Sequence, residues 1–220
     1  MALYARWTEL CTELDRLSGH LRDFASARPT IASASDFSEK DECLLEGLLS
    51  RTWQAWGAFC RACVYESCMG TLDGSGIAIP ANPYAASEGH VSGAAIRARS
   101  TPNPPIWGNV NTLLRSEPTW GDVNVLVTII PRLAPANQSQ LLAAFSAASS
   151  GAKALQLIRN ATAHNNAQTM AEVQNMRSAY IIFPLTHPIQ SLFWTEPTSC
   201  DFLFLWAVEE LREAGLAAIS

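Results

Sequence analysis

Apolar residues at Leu3, Trp7, Leu10, Leu14, Leu17, Leu21 and Phe24 recur at spacings of three and four without a break. That period matches the turn of an α-helix and not the two-residue repeat of a strand. Residues 3–25 are therefore an amphipathic helix, with Thr8, Glu9, Glu13, Asp15 and Arg16 on its wet side. Arg28-Pro29 ends it and opens a Ser/Ala-rich connection through Ser35. Ser38 followed by Asp41 has the form of a capping box, and Glu39, Asp41 and Glu42 suit the first turn of a helix. A second long helix is predicted from there to about Met69, with an apolar face through Leu44, Leu45, Leu48, Leu49, Thr52, Trp56, Phe59, Cys60, Cys63 and Val64. Gly70, Asp73-Gly74 and Gly76 stop it.

Residues 71–105 differ in kind, because Gly, Ser, Ala and Pro dominate and Pro80, Pro83, Pro102, Pro104 and Pro105 interrupt regular structure. They read as a long irregular insertion holding a short helix at Ala85–Ser100, with the basic pair Arg97 and Arg99 at its far end. Trp107 to Leu114 suits a helical turn or two. Asp122 to Ile130 is β-branched enough for a strand, but a lone strand has nothing to pair with, so a buried helix beginning near Thr119 is expected. Asn137 to His164 carries one apolar stripe through Leu141, Leu142, Phe145, Ala148, Ala152, Leu155, Ile158 and Thr162. Its small residues, Ala143, Ala144, Ala147 and Gly151 among them, allow another backbone to approach. Thr169 to about Tyr180 and Asp201 to Ala218 complete the helices, with Leu192-Phe193-Trp194 clamped over the core between them. The expected fold is all-α: a single domain over 1–220, a bundle of four to six helices with the 71–105 insertion.

With 220 residues, 48% hydrophobic and 16% charged, the chain can bury a sizeable core and leaves an apolar surface suited to a second copy of itself. The net charge of −5 gives no broad basic face for long RNA or DNA, although a few arginines gathered in one cleft remain compatible with a nuclease. The first residues show no apolar run of signal-peptide length, and no segment is long and apolar enough to span a bilayer. A cytoplasmic protein is expected, with Cys11, Cys43, Cys60, Cys63, Cys68 and Cys200 as reduced thiols. Cys60-x2-Cys63-x4-Cys68 has the first half of a zinc-site spacing, but it lies in a helical pattern with no second cysteine pair. Buried structural thiols are the expectation, with a small zinc protein or a redox switch as the other readings. His20, His90 and His187 read as surface or loop histidines, and Trp53 with Trp56 as core. Gly74-Ser75-Gly76 and Gly89–Gly93 read as turns lacking the lysine and third glycine of a phosphate loop.

The stretch that carries chemistry is Leu155 to Asn166, centred on Arg159-Asn160-Ala161-Thr162-Ala163-His164. A guanidinium is a planar five-donor fork suited to phosphate oxygens, and an imidazole exchanges a proton near neutrality without a metal. Asn160 lies four residues before His164 and shares its helix face. Arg159 and His164 are five apart, or roughly 140° around a helix axis, so they converge only if the helix frays, bends or meets a second copy. Asn165 and Asn166 suit such a helix end. The bland alternative is a solvated arginine with a histidine complementing the helix dipole.

Arg159-Asn160-x3-His164, with apolar Leu155, Leu157 and Ile158 before it and small Ala161 and Ala163 inside, resembles the Arg-polar-x3-His motif of HEPN-domain ribonucleases. The resemblance covers about a dozen residues. It implies an all-helical, usually dimeric protein whose motif copies face each other, acting in toxin–antitoxin, antiphage or RNA-processing systems. By that resemblance His164 is the general acid or base, Arg159 holds the scissile phosphate, and Asn160 orients one of the two. No metal and no cofactor is implied, the substrate is RNA, and an antitoxin or defence-system protein is a possible partner. A non-catalytic helical module that binds a protein or nucleotide is the competing expectation.

Overall fold

The computed structural model describes residues 3–28, 31–100, 105–164 and 166–220. Pro29, Pro102, Pro104 and Asn165, on which some expected helix ends and interruptions rest, lie outside the described residues. The chain is all-α. Among the described residues it forms eight α-helices: α1 (Leu3–Ser26), α2 (Glu39–Met69), α3 (Glu88–Ser100), α4 (Val123–Leu133), α5 (Gln138–Ala147), α6 (Ser149–His164), α7 (Ala167–Asn175) and α8 (Leu203–Ile219). A two-stranded antiparallel hairpin, β1 (Thr71–Leu72) and β2 (Ala78–Ile79), pairs Thr71 with Ile79 and Leu72 with Ala78. The chain divides into two compact units, one of Met1–Cys11, Trp56–Ser149 and Arg212–Ser220 and the other of Thr12–Ala55 and Ser150–Leu211.

In the first unit the buried face of α2 holds Trp56, Phe59, Cys60, Cys63, Val64, Tyr65 and Cys68. The Trp56 indole donates to the Gly121 carbonyl at 3.2 Å, and the ring meets Phe145 edge to face, so it is core as expected. Within the segment read as an irregular insertion, the expected short helix is present as α3, and the stretch before it holds the β1–β2 hairpin. The hairpin turns on Asp73, whose carboxylate accepts the Ser75 and Ile77 amides at 2.9 and 2.8 Å, and Gly76 takes the positive φ of 82° that the turn requires. Helix α3 then buries Val91, Ala94, Ala95 and Ala98. Its glycines are helical rather than turn residues: a Cβ on Gly93 would lie 2.2 Å from the Asn109 carbonyl oxygen, and one on Gly89 would lie 2.7 Å from Val110. The two glycines let the chain at 109–111 run against the helix, and the Asn111 amide bonds the Gly89 carbonyl at 2.8 Å. That docking also explains why the helical turns expected at Trp107–Leu114 give way to an irregular course, with a 3-10 turn only at Leu114–Ser116.

The β-branched run resolves as α4, beginning at Val123 rather than Thr119 because Asp122 caps it, accepting the Asn124 amide at 2.9 Å. Leu126, Ile129, Ile130 and Leu133 form its buried stripe. The expected continuous helix from Asn137 to His164 is two helices. Ala148 leaves helical geometry at ψ 10° and separates α5 from α6.

The second unit starts α2 with the expected capping box: the Asp41 amide bonds Ser38 Oγ at 3.3 Å, and the Ser38 amide bonds Asp41 Oδ2 at 3.0 Å. Arg28 pairs with the same carboxylate and covers the Phe24 ring. Leu155, Ile158 and Ala161 bury one side of α6, and Gly151 lets it approach α8, where a Cβ would stand 3.0 Å from Ala207 Cα. Asn166 does not end α6 but starts α7, its side chain accepting the Gln168 and Thr169 amides at 3.0 Å. The helix expected to run from Thr169 to Tyr180 gives way at Met176 to a 3-10 turn that ends at Ala179.

The most heavily engaged polar group in the first unit is Glu117. Its carboxylate accepts Arg61 Nε at 2.8 Å and Nη2 at 3.1 Å, the Tyr65 hydroxyl at 2.8 Å, the Ser92 hydroxyl at 2.8 Å and the Trp120 indole at 2.9 Å. Only 6% of the side chain is exposed. Burial pushes its pKa up, and the donors from Arg61, Tyr65, Trp120 and Ser92 outweigh burial, bringing it down from 4.5 to about 2. A carboxylate held below its unfolded value adds stability above that value and loses it as pH falls through the folded one. We expect a contribution on the order of 3 kcal/mol at neutral pH, lost between about pH 4.5 and pH 2. Denaturant titrations across that range should show Glu117→Gln less stable at neutrality and flatter towards acid; equal acid dependence in both proteins would refute the assignment. In the same assay Gly93→Ala should cost about 1–3 kcal/mol by overpacking against Asn109, despite the better helix propensity of alanine.

Candidate active site on helix α6

Leucine and alanine spacing makes residues 149–164 helical, and the chain remains helical through His164. Arg159 and His164 are exposed, and Asn160 is half-buried. Arg159 Nη1 donates to Asn160 Oδ1 at 3.3 Å, and the Thr162 hydroxyl donates to the Arg159 carbonyl at 2.8 Å. His164 is the last helical residue, and its carbonyl accepts the Asn166 amide side chain at 3.3 Å. Among the described residues no hydrogen bond joins His164 to Arg159 or Asn160, and no carboxylate pairs with Arg159 or His164. One chain therefore brings together Arg159 and Asn160 but not His164. With the helix unbroken to His164, the two side chains keep a divergence of roughly 140°.

Arg159, Thr162 and Ala163 line a hollow of about 350 Å³, whose far wall is Cys43, Glu46, Gly47 and Ser50 of α2. Sequence reasoning missed this wall, since no motif marks it. Its only sequence signal is Gly47, a glycine in the middle of a long helix. Glu46 is the acidic member of the hollow, and its carboxylate lies 3.4 Å from His187 Nε2. The remaining groups can hold a phosphate oxygen through the guanidinium and offer hydroxyls at Thr162 and Ser50; a proton-transfer group must come from elsewhere. A second hollow of about 530 Å³ lies between α1 and α2, where Leu17, Phe24, Leu44, Leu45 and Leu48 are rimmed by Arg16, His20 and Arg51.

The other histidines have local roles. His20 Nε2 lies 3.1 Å from Arg16 Nη1, His90 Nδ1 lies 2.8 Å from the Ser87 hydroxyl before α3, and His187 caps the 3-10 turn Pro188–Phe193 through the Ile189 amide. Cys60, Cys63 and Cys68 are free thiols buried on α2, and among the described residues no cluster of three His, Cys, Asp or Glu side chains is placed to hold a metal. Burial pushes all three thiols up, Cys68 to about 12.

No family model matches the chain, and neither a curated protein nor a solved structure matches it significantly.

The thiols supply a direct check on this packing. A thiol reagent should label exposed Cys43 and Cys200 rapidly in the native protein and reach Cys60, Cys63 and Cys68 only on unfolding. Rapid labelling of the α2 trio, or co-purifying zinc, would contradict it.

Proposed function

We propose that the chain is a metal-independent endoribonuclease whose site is completed by a second copy of itself. The observation that carries the reading is the exposed motif at the end of α6: an arginine that no carboxylate among the described residues neutralises, and a histidine about 1.4 turns beyond it. The ribose 2′-OH attacks the adjacent phosphorus, and the 5′-oxygen leaves, giving a 2′,3′-cyclic phosphate and a 5′-OH. His164 moves the proton, Arg159 holds the phosphate and the charge that builds on it, and Asn160 keeps the guanidinium in place through the bond between their side chains. Because those two groups diverge on one helix, Arg159 of one copy acts with His164 of the other. DNA, lacking the 2′-OH, is not a substrate. A toxin or antiphage effector in the cytoplasm, held in check by an antitoxin or defence-system partner, is the role this activity suits.

A second reading, a non-catalytic helical module, draws on the apolar hollow between α1 and α2, where Leu44 is 58% exposed. It is separated from the first by mutagenesis. Arg159→Ala and His164→Ala should each lower RNA cleavage about 10²–10⁴-fold with the fold intact and with no effect of EDTA on the parent. Mixing the two inactive variants should restore cleavage, because half of the sites in a mixed dimer regain both groups. Parental cleavage in both variants, or its loss to EDTA, would end the nuclease reading. An active parent with no recovery on mixing would end the shared site.

A further inference from the structure

Helix periodicity gives α2 two neighbouring exposed faces that meet at one residue. Cys43, Glu46, Gly47 and Ser50 follow the i, i+3, i+4, i+7 spacing and face the hollow of Arg159. Leu44, Gly47, Leu48 and Arg51 follow the same spacing one residue on and face the hollow beside α1. Gly47 belongs to both, at the crest between them. It is exposed, and a Cβ placed there would meet nothing within 4 Å, so nothing within the chain requires glycine at this position. In a helix interior the residue costs about 1 kcal/mol relative to alanine. Its structural consequence is a bare stretch of backbone, a low saddle that joins the two hollows.

Charge is distributed unevenly around this saddle. In a chain of net −5, the described residues lining the two hollows include Arg16, Arg51 and Arg159 against the carboxylate of Glu46. Glu13 serves two of these cations at once, at 2.6 Å from Arg16 and 3.5 Å from Arg51, and the Arg51 side chain is 63% exposed, so the rim keeps positive charge. The floor is leucine with Phe24, whose ring already carries Arg28 and stacks with Phe37. It offers apolar surface to a base without a free aromatic platform and without hydrogen-bond donors that would read its edge.

Resting on the ribonuclease reading, we propose that this groove is the subsite for the nucleotides flanking the cleaved phosphate: single-stranded RNA crosses α2 over Gly47, its backbone passing from Arg159 to Arg51 and Arg16 and its bases lying on Leu44 and Leu48. Recognition there is by backbone charge and apolar packing and tolerates any base.

The probe is a short 2′-O-methyl oligonucleotide, which binds as RNA but lacks the attacking hydroxyl, followed by fluorescence anisotropy. Gly47→Leu fills the saddle while improving helix propensity, so its thermal midpoint should equal or exceed that of the parent and its affinity should fall about tenfold or more. Arg51→Glu should weaken binding similarly and make the slope of log affinity against log salt shallower by about 0.7 for each phosphate no longer neutralised. For cleavage, both variants should lose more kcat/KM on long RNA than on a dinucleotide, which is too short to cross the saddle. Unchanged affinity in both variants alongside weakened Arg159→Ala overturns the groove and leaves the ribonuclease reading standing. A parent that neither binds nor cleaves RNA overturns that reading and the groove with it. An acidic amphipathic peptide that binds at Leu44 without displacing the oligonucleotide makes the groove a protein-docking surface and overturns the proposal.

Discussion

The first unit closes around the Glu117 carboxylate. Arg61 and Tyr65 reach it from α2, Ser92 from α3 and Trp120 from the connection into α4, so three stretches far apart in sequence converge on two oxygen atoms. A buried carboxylate is costly unless its lone pairs are met, and here five donors meet them. The arrangement is specific as well as stabilising, because Arg61, Tyr65 and Ser92 each reach the carboxylate from one register of a helix. It also makes the composition of 71–100 compatible with regular structure. The small residues of α3 give up side-chain burial but allow a neighbouring chain segment to lie at backbone distance, and the hydrogen bonds of Asn111 and Ser92 tie that segment down.

In the second unit the decisive property is that α6 continues to His164. Buried Leu155, Ile158 and Ala161 hold one side of the helix to the protein, and the other side, carrying Arg159 and His164, stays in solvent. While the chain stays helical to His164, residues five apart do not come into register. On the proposed ribonuclease reading, chemistry that needs both groups at one phosphate is a property of an assembly of copies. The arginines around α2 gather positive charge on a chain whose net charge is −5.

Helix content was legible because the amphipathic pattern is local. The three-four spacing from Leu3 to Phe24, the Ser38–Asp41 box and the buried stripe of the 123–133 segment each record a helix in its own residues. The misread segments were those governed by partners distant in sequence. Gly89 and Gly93 look like turn residues until Asn109 and Val110 are seen against them, Asn166 looks like a helix end until α7 is seen to begin there, and the break at Ala148 divides one apolar stripe into two helices.

For the site, the sequence by itself determined the chemistry on offer: a guanidinium, an amide and an imidazole within six residues at the end of an apolar helix, and a divergence set by helical pitch. Only the tertiary structure decided that the helix runs unbroken to His164, that Arg159 turns towards Asn160 and the wall of α2, and that Gly47 joins two hollows. Angular spacing along one helix is a property of the local chain, whereas which helix stands opposite a side chain depends on packing between segments a hundred or more residues apart, and those leave no periodic trace in either segment alone.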